Sequence, residues 1–140
     1  MLVQRPAFAW PSQCAVCRGW SDALLCGGCA AQREVPRCVR CAIEVPRGQA
    51  VCGGCLLEPP PQEVTVAAVD YSFPWDHLIG RFKFHAAIDL AAPLADRLVH
   101  AVQDAGATLP DLLLPAPLSV PRLRERGYNQ AVVQIGRAHV

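Results

Sequence analysis

Within residues 14–55 the chain reads Cys14-Ala-Val-Cys17, Cys26-Gly-Gly-Cys29, Cys38-Val-Arg-Cys41 and Cys52-Gly-Gly-Cys55, and these four pairs decide its fold. They hold all eight cysteines of the 140-residue chain. A Cys-x-x-Cys pair forms a tight turn that directs two thiolates at one point, and two such turns complete the tetrahedral four-sulfur shell that zinc prefers. The sequence therefore predicts two zinc ions, each held by four cysteines.

The spacing favours sequential use of the pairs, in which the first four cysteines hold one ion and the last four hold the other, and it leaves a cross-braced arrangement open. Other uses of the cysteines fit the pattern less well. A disulfide framework needs an oxidising compartment, for which the sequence shows no targeting signal. Iron–sulfur ferredoxins use a more compact cysteine run, and a thioredoxin-like redox site uses a single pair. Four cysteines leave no coordination position for water or substrate, so the predicted ions are structural.

The overall composition narrows the classes of function. A net charge of +1 excludes an arm that holds nucleic acid by bulk electrostatics. No apolar run reaches the roughly 20 residues of a membrane-spanning helix, and the N-terminal residues lack the pattern of a secretory signal. We therefore expect a cytoplasmic protein. Because eight thiolates outweigh the charge of two zinc ions, the metal-loaded segment is expected to be net negative and to act mainly as a scaffold.

The composition changes after Cys55, and the prolines of residues 59–63 predict a stiff linker. The predicted domains are a double zinc ribbon at 1–58 and a second domain at 64–134. Val64–Phe73 and Asp111–Leu114 predict strands. Two helices are predicted from apolar residues at helical spacing: Trp75, Leu78, Ile79 and Phe82, then Ala91, Leu94, Ala95, Leu98 and Val102, with Pro93 in the first turn and Gly106 at the end. The second domain is therefore expected to be an incomplete α/β domain.

A basic segment follows the second predicted strand. Arg122, Arg124 and Arg126 alternate within five residues and Gly127 follows them, while Asn129 is placed to cap a helix that begins at Gln130. A strand end, a basic glycine-containing loop and a helix N-terminus together predict a phosphate or pyrophosphate site. A solvated basic turn is the alternative.

These motifs, with Leu78-Ile-Gly-Arg-Phe-Lys83, Leu114-Pro-Ala-Pro-Leu118 and Arg124-Glu-Arg-Gly-Tyr-Asn-Gln130, resemble the ComF family of competence-associated, phosphoribosyltransferase-like proteins with an N-terminal double zinc ribbon. The resemblance implies a type I phosphoribosyltransferase fold and a role in handling DNA taken up during natural transformation. The implied partners are single-stranded DNA, DNA-processing competence proteins or a phosphorylated small molecule. By match to the family's motif, the candidates for a pyrophosphate-binding loop are Arg122, Arg124, Arg126, Gly127, Asn129 and Gln130.

The chain departs from the family's enzymes in two respects. A phosphoribosyltransferase holds magnesium and phosphoribosyl pyrophosphate (PRPP) with two neighbouring acidic residues and a Thr/Gly-rich loop. No two acidic residues are adjacent in this sequence, and it contains no such loop. We therefore expect no catalytic residue in these 140 residues, and magnesium and PRPP binding only in a longer form whose N-terminal part they are. Residues 135–140 are expected to be a non-native tail. The alternatives are an active phosphoribosyltransferase on an unknown acceptor and a non-enzymatic zinc-ribbon module that binds protein or DNA.

Overall fold

The computed structural model describes residues 11–31, 35–107 and 110–138. Its contacts divide the chain into two compact units between Gln32 and Arg33. The second group of four cysteines thus lies in the same unit as the helices that follow it, whereas the boundaries predicted from the prolines group it with the first four. The prediction of no secretory signal rests on the first twenty residues, and the first ten of these lie outside the described residues, as do residues 139–140 of the predicted tail.

The first unit is a small ribbon built on a short hairpin. Strand β1 (Ser12–Gln13) pairs antiparallel with β2 (Trp20–Ser21), and the turn between them carries the first cysteine pair. The Cys14 N–H donates to the carbonyl of Gly19 at 2.8 Å. Helix α1 (Gly27–Ala30) begins directly after Cys26, so the second pair starts at a helix N-terminus.

The second unit opens with a repeat of this ribbon. An isolated antiparallel bridge joins Arg37 to Glu44, and helix α2 (Gly53–Leu57) begins directly after Cys52. In both ribbons the residue four positions after the first cysteine has a left-handed backbone, with φ of 63° at Arg18 and 60° at Ala42. The local hydrogen bonds also correspond, so the two ribbons are copies of one motif.

The chain after the prolines packs back onto the second ribbon. The Thr65 N–H donates to the Val39 carbonyl at 2.8 Å, and the Thr65 hydroxyl donates to the Arg40 carbonyl at 2.6 Å. Arg37 also forms an ion pair with Asp70. These contacts attach the second ribbon to the segment that leads into the helices.

The remainder of the second unit is helical. Its elements are α3 (Trp75–Phe84), a short 3-10 helix (Ile88–Leu90), α4 (Ala91–Asp104), α5 (Val120–Arg126) and α6 (Gln130–Ala138). The helices predicted from apolar spacing are confirmed as α3 and α4, and Gly106 follows the end of α4 with a left-handed φ of 60°. The core contains Trp75, Leu78, Phe82, Leu90, Ala91, Leu94 and Ala95. Helix α4 packs against α6, and α3 packs against the 3-10 helix.

The prediction of two strands in the second domain is wrong. Residues 64–73 and 111–114 belong to no strand in the structure, and the leucines of 112–114 are exposed. A strand needs a neighbour to satisfy its backbone N–H and C=O groups, and the only paired strands among the described residues are β1 and β2. The α/β character expected of residues 64–134 is therefore absent from the described part of the chain. No helix there is long and apolar enough to cross a lipid bilayer.

Candidate functional site

The eight cysteines form two tetrads, defined as the first tetrad (Cys14, Cys17, Cys26, Cys29) and the second tetrad (Cys38, Cys41, Cys52, Cys55). Within each tetrad the four Sγ atoms lie within 4.8 Å of one another. No cysteine is in a disulfide. The sequential grouping is thereby confirmed, and the cross-braced alternative is wrong.

The spacing of the sulfurs fits a tetrahedral zinc ion. Four sulfurs at about 2.3 Å from a central ion lie about 3.8 Å from one another. The Cys17 and Cys26 Sγ atoms are 3.7 Å apart, and so are those of Cys41 and Cys52. This distance is too long for a disulfide, whose sulfurs lie about 2 Å apart. Each tetrad could therefore hold a metal ion with sulfur ligands alone.

Each tetrad contains one cysteine whose thiol pKa is lowered. The Cys52 backbone N–H donates to the Cys38 sulfur at 3.3 Å. This hydrogen bond outweighs the effect of burial and lowers the pKa of Cys38 to about 6. At Cys14 burial opposes ionisation, but backbone N–H groups, that of Cys26 first among them, lower the pKa to about 6. A metal ion binds the thiolate form of cysteine. The lowered pKa values therefore favour metal binding by these two sulfurs.

The last cysteine of each tetrad has the opposite tendency. A hydrogen bond with Cys26, together with burial, raises the pKa of Cys29 to about 12. Burial and the neighbouring thiols raise the pKa of Cys55 to about 12. A bound cation would ionise such thiols because its charge stabilises the thiolates. The residues of both tetrads thus fit a Zn²⁺ ion with four thiolate ligands.

The three arginines of the candidate anion loop lie on a helix. Residues 120–126 form α5, with Ser119 as the N-cap, Pro121 in the first turn and Gly127 at the C-cap with a left-handed φ of 76°. The prediction that these arginines lie in a loop is therefore wrong. Because residues four apart share a helix face, Arg122 and Arg126 project on one side and Arg124 on the other. Arg122 and Arg124 are exposed, while Arg126 is half-buried.

We use the name Arg126–Gln130 junction for the connection between α5 and α6. The predicted cap of α6 is confirmed, because the Asn129 Oδ1 atom accepts from the N–H groups of Ala131 at 2.9 Å and Val132 at 3.3 Å. The Asn129 Nδ2 atom donates to the Ala116 carbonyl at 3.0 Å and ties the junction to the preceding segment. Arg126 donates from Nη1 to Gln130 Oε1 at 3.1 Å. The junction therefore brings together Arg126, Gly127, Asn129 and Gln130 of the six candidate residues.

Gln130 has an unsatisfied donor. Its side chain is buried, with 8% of its surface exposed, and its Nε2 atom has no hydrogen-bond partner among the described residues. A buried donor without an acceptor costs about 1–3 kcal/mol. An anion bound at the junction would supply the acceptor, next to the Arg126 guanidinium and the N-terminus of α6.

Tyr128 fixes the junction to α3, a role that sequence analysis missed. Its hydroxyl donates to the Phe82 carbonyl, and its ring lies 5.7 Å from the Phe82 ring between centroids. Burial raises the pKa of the Tyr128 hydroxyl. The polar end and the apolar body of a tyrosine suit this position, but no sequence spacing links residue 128 to residue 82.

Replacing Asn129 by alanine should destabilise the protein by about 1–2 kcal/mol, since the cap of α6 is lost. Urea unfolding of the metal-loaded protein, followed by circular dichroism, would measure the change. The matched control is Asn129→Asp, which keeps a capping oxygen, replaces the donor to Ala116 by an acceptor and adds a negative charge at the start of α6. We expect Asn129→Asp to lie between the wild type and Asn129→Ala. Equal stability of Asn129→Ala and the wild type would show that the cap contributes nothing.

Comparison with known proteins finds relatives along most of the chain. It is 37% identical over 127 residues to Competence protein F of Haemophilus influenzae, covering 85% of this chain and 56% of that protein. It is 30% identical over 131 residues to DNA utilization protein YhgH of Escherichia coli K12 and 32% identical to that of Salmonella typhimurium, covering in each case 86% of this chain and 57% of the relative. The chain thus spans little more than half the length of these relatives. No protein-family model and no solved structure matches it.

Proposed function

Since the chain belongs to the ComF family, together with Competence protein F, we propose that it handles DNA taken into the cell and binds a phosphate or pyrophosphate group at the Arg126–Gln130 junction. The proposed place of action is the cytoplasm. The two tetrads hold structural zinc ions and have no part in chemistry, because four cysteines leave no position open on the metal.

The observation that carries the anion site is the Nε2 atom of buried Gln130 beside Arg126, for which the described part of the chain supplies no hydrogen-bond partner. The N-terminus of α6 adds a partial positive charge at the same place, while its Ala131 and Val132 N–H groups donate to the Asn129 cap. An arginine, an amide donor and a helix N-terminus are the groups that bind phosphate oxygens. Arg122 is exposed one helical turn before Arg126 and adds a positive charge nearby, whereas Arg124 contributes only at longer range.

No comparable contact among the described residues supports phosphoribosyl transfer. The residues of this chain do not fit a magnesium–PRPP site, because no two acidic residues are adjacent in the sequence. We therefore propose a role in binding for these residues, and PRPP chemistry only for a longer form. The zinc-ribbon interaction module is the remaining alternative, and it differs from the proposal in having no phosphate site.

Replacing Arg126 by glutamine should weaken pyrophosphate binding about tenfold or more, because a charge-assisted hydrogen bond is lost. Isothermal titration of the full-length, zinc-loaded protein with pyrophosphate measures the affinity. The control is Arg47→Gln, which removes the same charge from an exposed position in the second ribbon. We expect this control to stay within about twofold of the wild type, as a distant surface charge is screened by salt.

Equal pyrophosphate affinity of Arg126→Gln and Arg47→Gln would contradict the proposed anion site. Wild-type protein that binds two zinc ions but no pyrophosphate would favour the interaction module instead.

A further inference from the structure

The outward face of α3 forms a cleft whose lining includes no residue of the tetrads or of the junction. The cleft has a volume of about 360 Å³. Its side chains are Tyr71, Asp76, His77, Arg81, Phe84 and His85, and Gly80 lies among them. Residues 77, 80, 81, 84 and 85 follow the i, i+3, i+4, i+7, i+8 spacing of one helix face. The buried residues Trp75, Leu78 and Phe82 occupy the other side of the same helix.

Two exposed aromatic rings border this cleft. Tyr71 has 77% of its surface exposed and Phe84 has 65%. The Arg126 guanidinium lies 4.9 Å from the centroid of the Phe84 ring, so a cation–π contact orients that ring. Tyr71 directly precedes the turn that begins α3, in which the Trp75 N–H donates to the Ser72 carbonyl at 2.8 Å. Both rings line the cleft and expose most of their surface to solvent.

The polar side chains of the cleft place a positive charge beside the aromatic rings. Arg81 is a permanent cation, and His77 and His85 lie four residues before and after it on the same face. The one acidic side chain, Asp76, accepts from the backbone N–H of His77 at 2.7 Å and lies in the first turn of α3, where a negative charge complements the helix dipole. Asp76 thus has a structural role at the start of the helix.

Gly80 keeps the floor of the cleft open. A Cβ atom added at this position would meet no atom within 4 Å. Glycine lowers helix stability by about 1 kcal/mol relative to alanine, so the backbone of α3 does not require it. The residue is best explained by the space that it leaves between the aromatic rings and Arg81.

We infer that this cleft binds the unpaired bases of single-stranded DNA, with bases stacked on Tyr71 and Phe84 and a backbone phosphate near Arg81. Exposed aromatic rings beside cations are the usual means of binding single strands, because every base has a π face and every linkage has a charge. The inference rests on the proposed role in DNA handling, since the ring and cation geometry alone would also accept RNA. Duplex DNA is excluded, because its bases are already stacked and paired.

The test is titration of labelled oligothymidylate with the full-length, zinc-loaded protein, followed by fluorescence anisotropy at several salt concentrations. Gly80→Leu should fill the cleft and weaken binding about fivefold or more, while its melting temperature stays the same or rises. The matched control is Gln103→Leu, which places the same side chain at an exposed position of helix α4 outside the cleft. Equal affinities of these two variants would overturn the proposal.

Two further variants separate stacking from charge. Tyr71→Leu should weaken binding about fivefold or more at every salt concentration, Tyr71→Phe should restore it, and Phe73→Leu, an exposed aromatic outside the cleft, should leave it unchanged. Arg81→Gln should reduce the slope of log affinity against log salt by about 0.7, the value for one phosphate contact on a single strand. Wild-type slope in Arg81→Gln, or wild-type affinity in Tyr71→Leu, would overturn the assignment.

The choice of probe decides the class of ligand. Oligothymidylate should bind more tightly than oligouridylate, because the thymine methyl group adds apolar area against the rings. Equal or tighter binding of oligouridylate, or of duplex DNA, would overturn the assignment to single-stranded DNA. Pyrophosphate affinity should be unchanged in Gly80→Leu and Tyr71→Leu, so a failure of the cleft and a failure of the anion site at the junction give different results.

Discussion

A Cys38→Ser variant should bind one zinc ion instead of two and lose the fold of its second ribbon. Cys38 is fully buried, its sulfur lies 3.3 Å from the Cys52 N–H, and it is a member of the second tetrad. Structural zinc in such sites contributes about 10 kcal/mol or more to folding, which is comparable with the whole stability of a small domain. Elemental analysis gives the metal content, and hydrogen exchange at residues 35–58 reports the local fold.

The loss at the second tetrad should also reach the segment before α3. Thr65 and Asp70 contact the second ribbon through Val39, Arg40 and Arg37, so exchange protection near residues 65–70 should fall in Cys38→Ser. Cys14→Ser is the matched control, because Cys14 holds the corresponding position in the first tetrad. It should also bind one ion, but it should leave residues 65–70 protected.

Chelation of the wild type should release about two zinc equivalents. Full metal content in both serine variants would show that the tetrads do not hold the ions. Visible absorption of bound iron in the purified protein would contradict the choice of zinc.

Leu78→Ala should destabilise the helical part of the chain by about 2–5 kcal/mol, because it removes a buried side chain and leaves a cavity. Leu78 is 1% exposed and belongs to the core between α3, the 3-10 helix and α4. Thermal or urea unfolding of the zinc-loaded variant measures the change. Zinc content should remain two equivalents, since the tetrads do not include this residue.

The control for this substitution is Leu57→Ala in α2. Leu57 is 90% exposed, so the same loss of side-chain atoms should change the stability by no more than about 0.5 kcal/mol. Equal losses in Leu78→Ala and Leu57→Ala would mean that the core lies elsewhere.

Local patterns predicted those parts of the fold that depend on nearby residues. The spacing of the cysteines was sufficient for the tetrads, because each knuckle directs its own two sulfurs. Apolar residues at helical spacing predicted α3 and α4, and Asn129 predicted the start of α6. The left-handed backbones of Arg18 and Ala42 were not predicted, since neither residue is a glycine.

The strands could not be predicted in this way. Val64–Phe73 has the composition of a strand, but a strand exists only when another segment satisfies its backbone groups. Residue type does not reveal whether such a segment is present. Helix α5 was not predicted, although Ser119, Pro121 and Gly127 are ordinary start and stop signals of a helix.

The candidate sites were predicted unevenly. Six residues were expected to form one anion loop, and the structure brings four of them together at the Arg126–Gln130 junction. The cleft on α3 was missed, although the spacing of His77, Arg81 and His85 places three basic side chains on one helix face. Tyr71 lies outside the helix, so only the folded chain reveals that it borders the same cleft.

The three exposed leucines at 112–114 have a practical consequence. They form an uncharged apolar run with no ladder hydrogen bonds in the described part of the chain, and such a run can pair with its equivalent in another molecule. Concentrated solutions should therefore become turbid before dilute ones do. A charged substitution such as Leu113→Lys should delay aggregation of the purified protein.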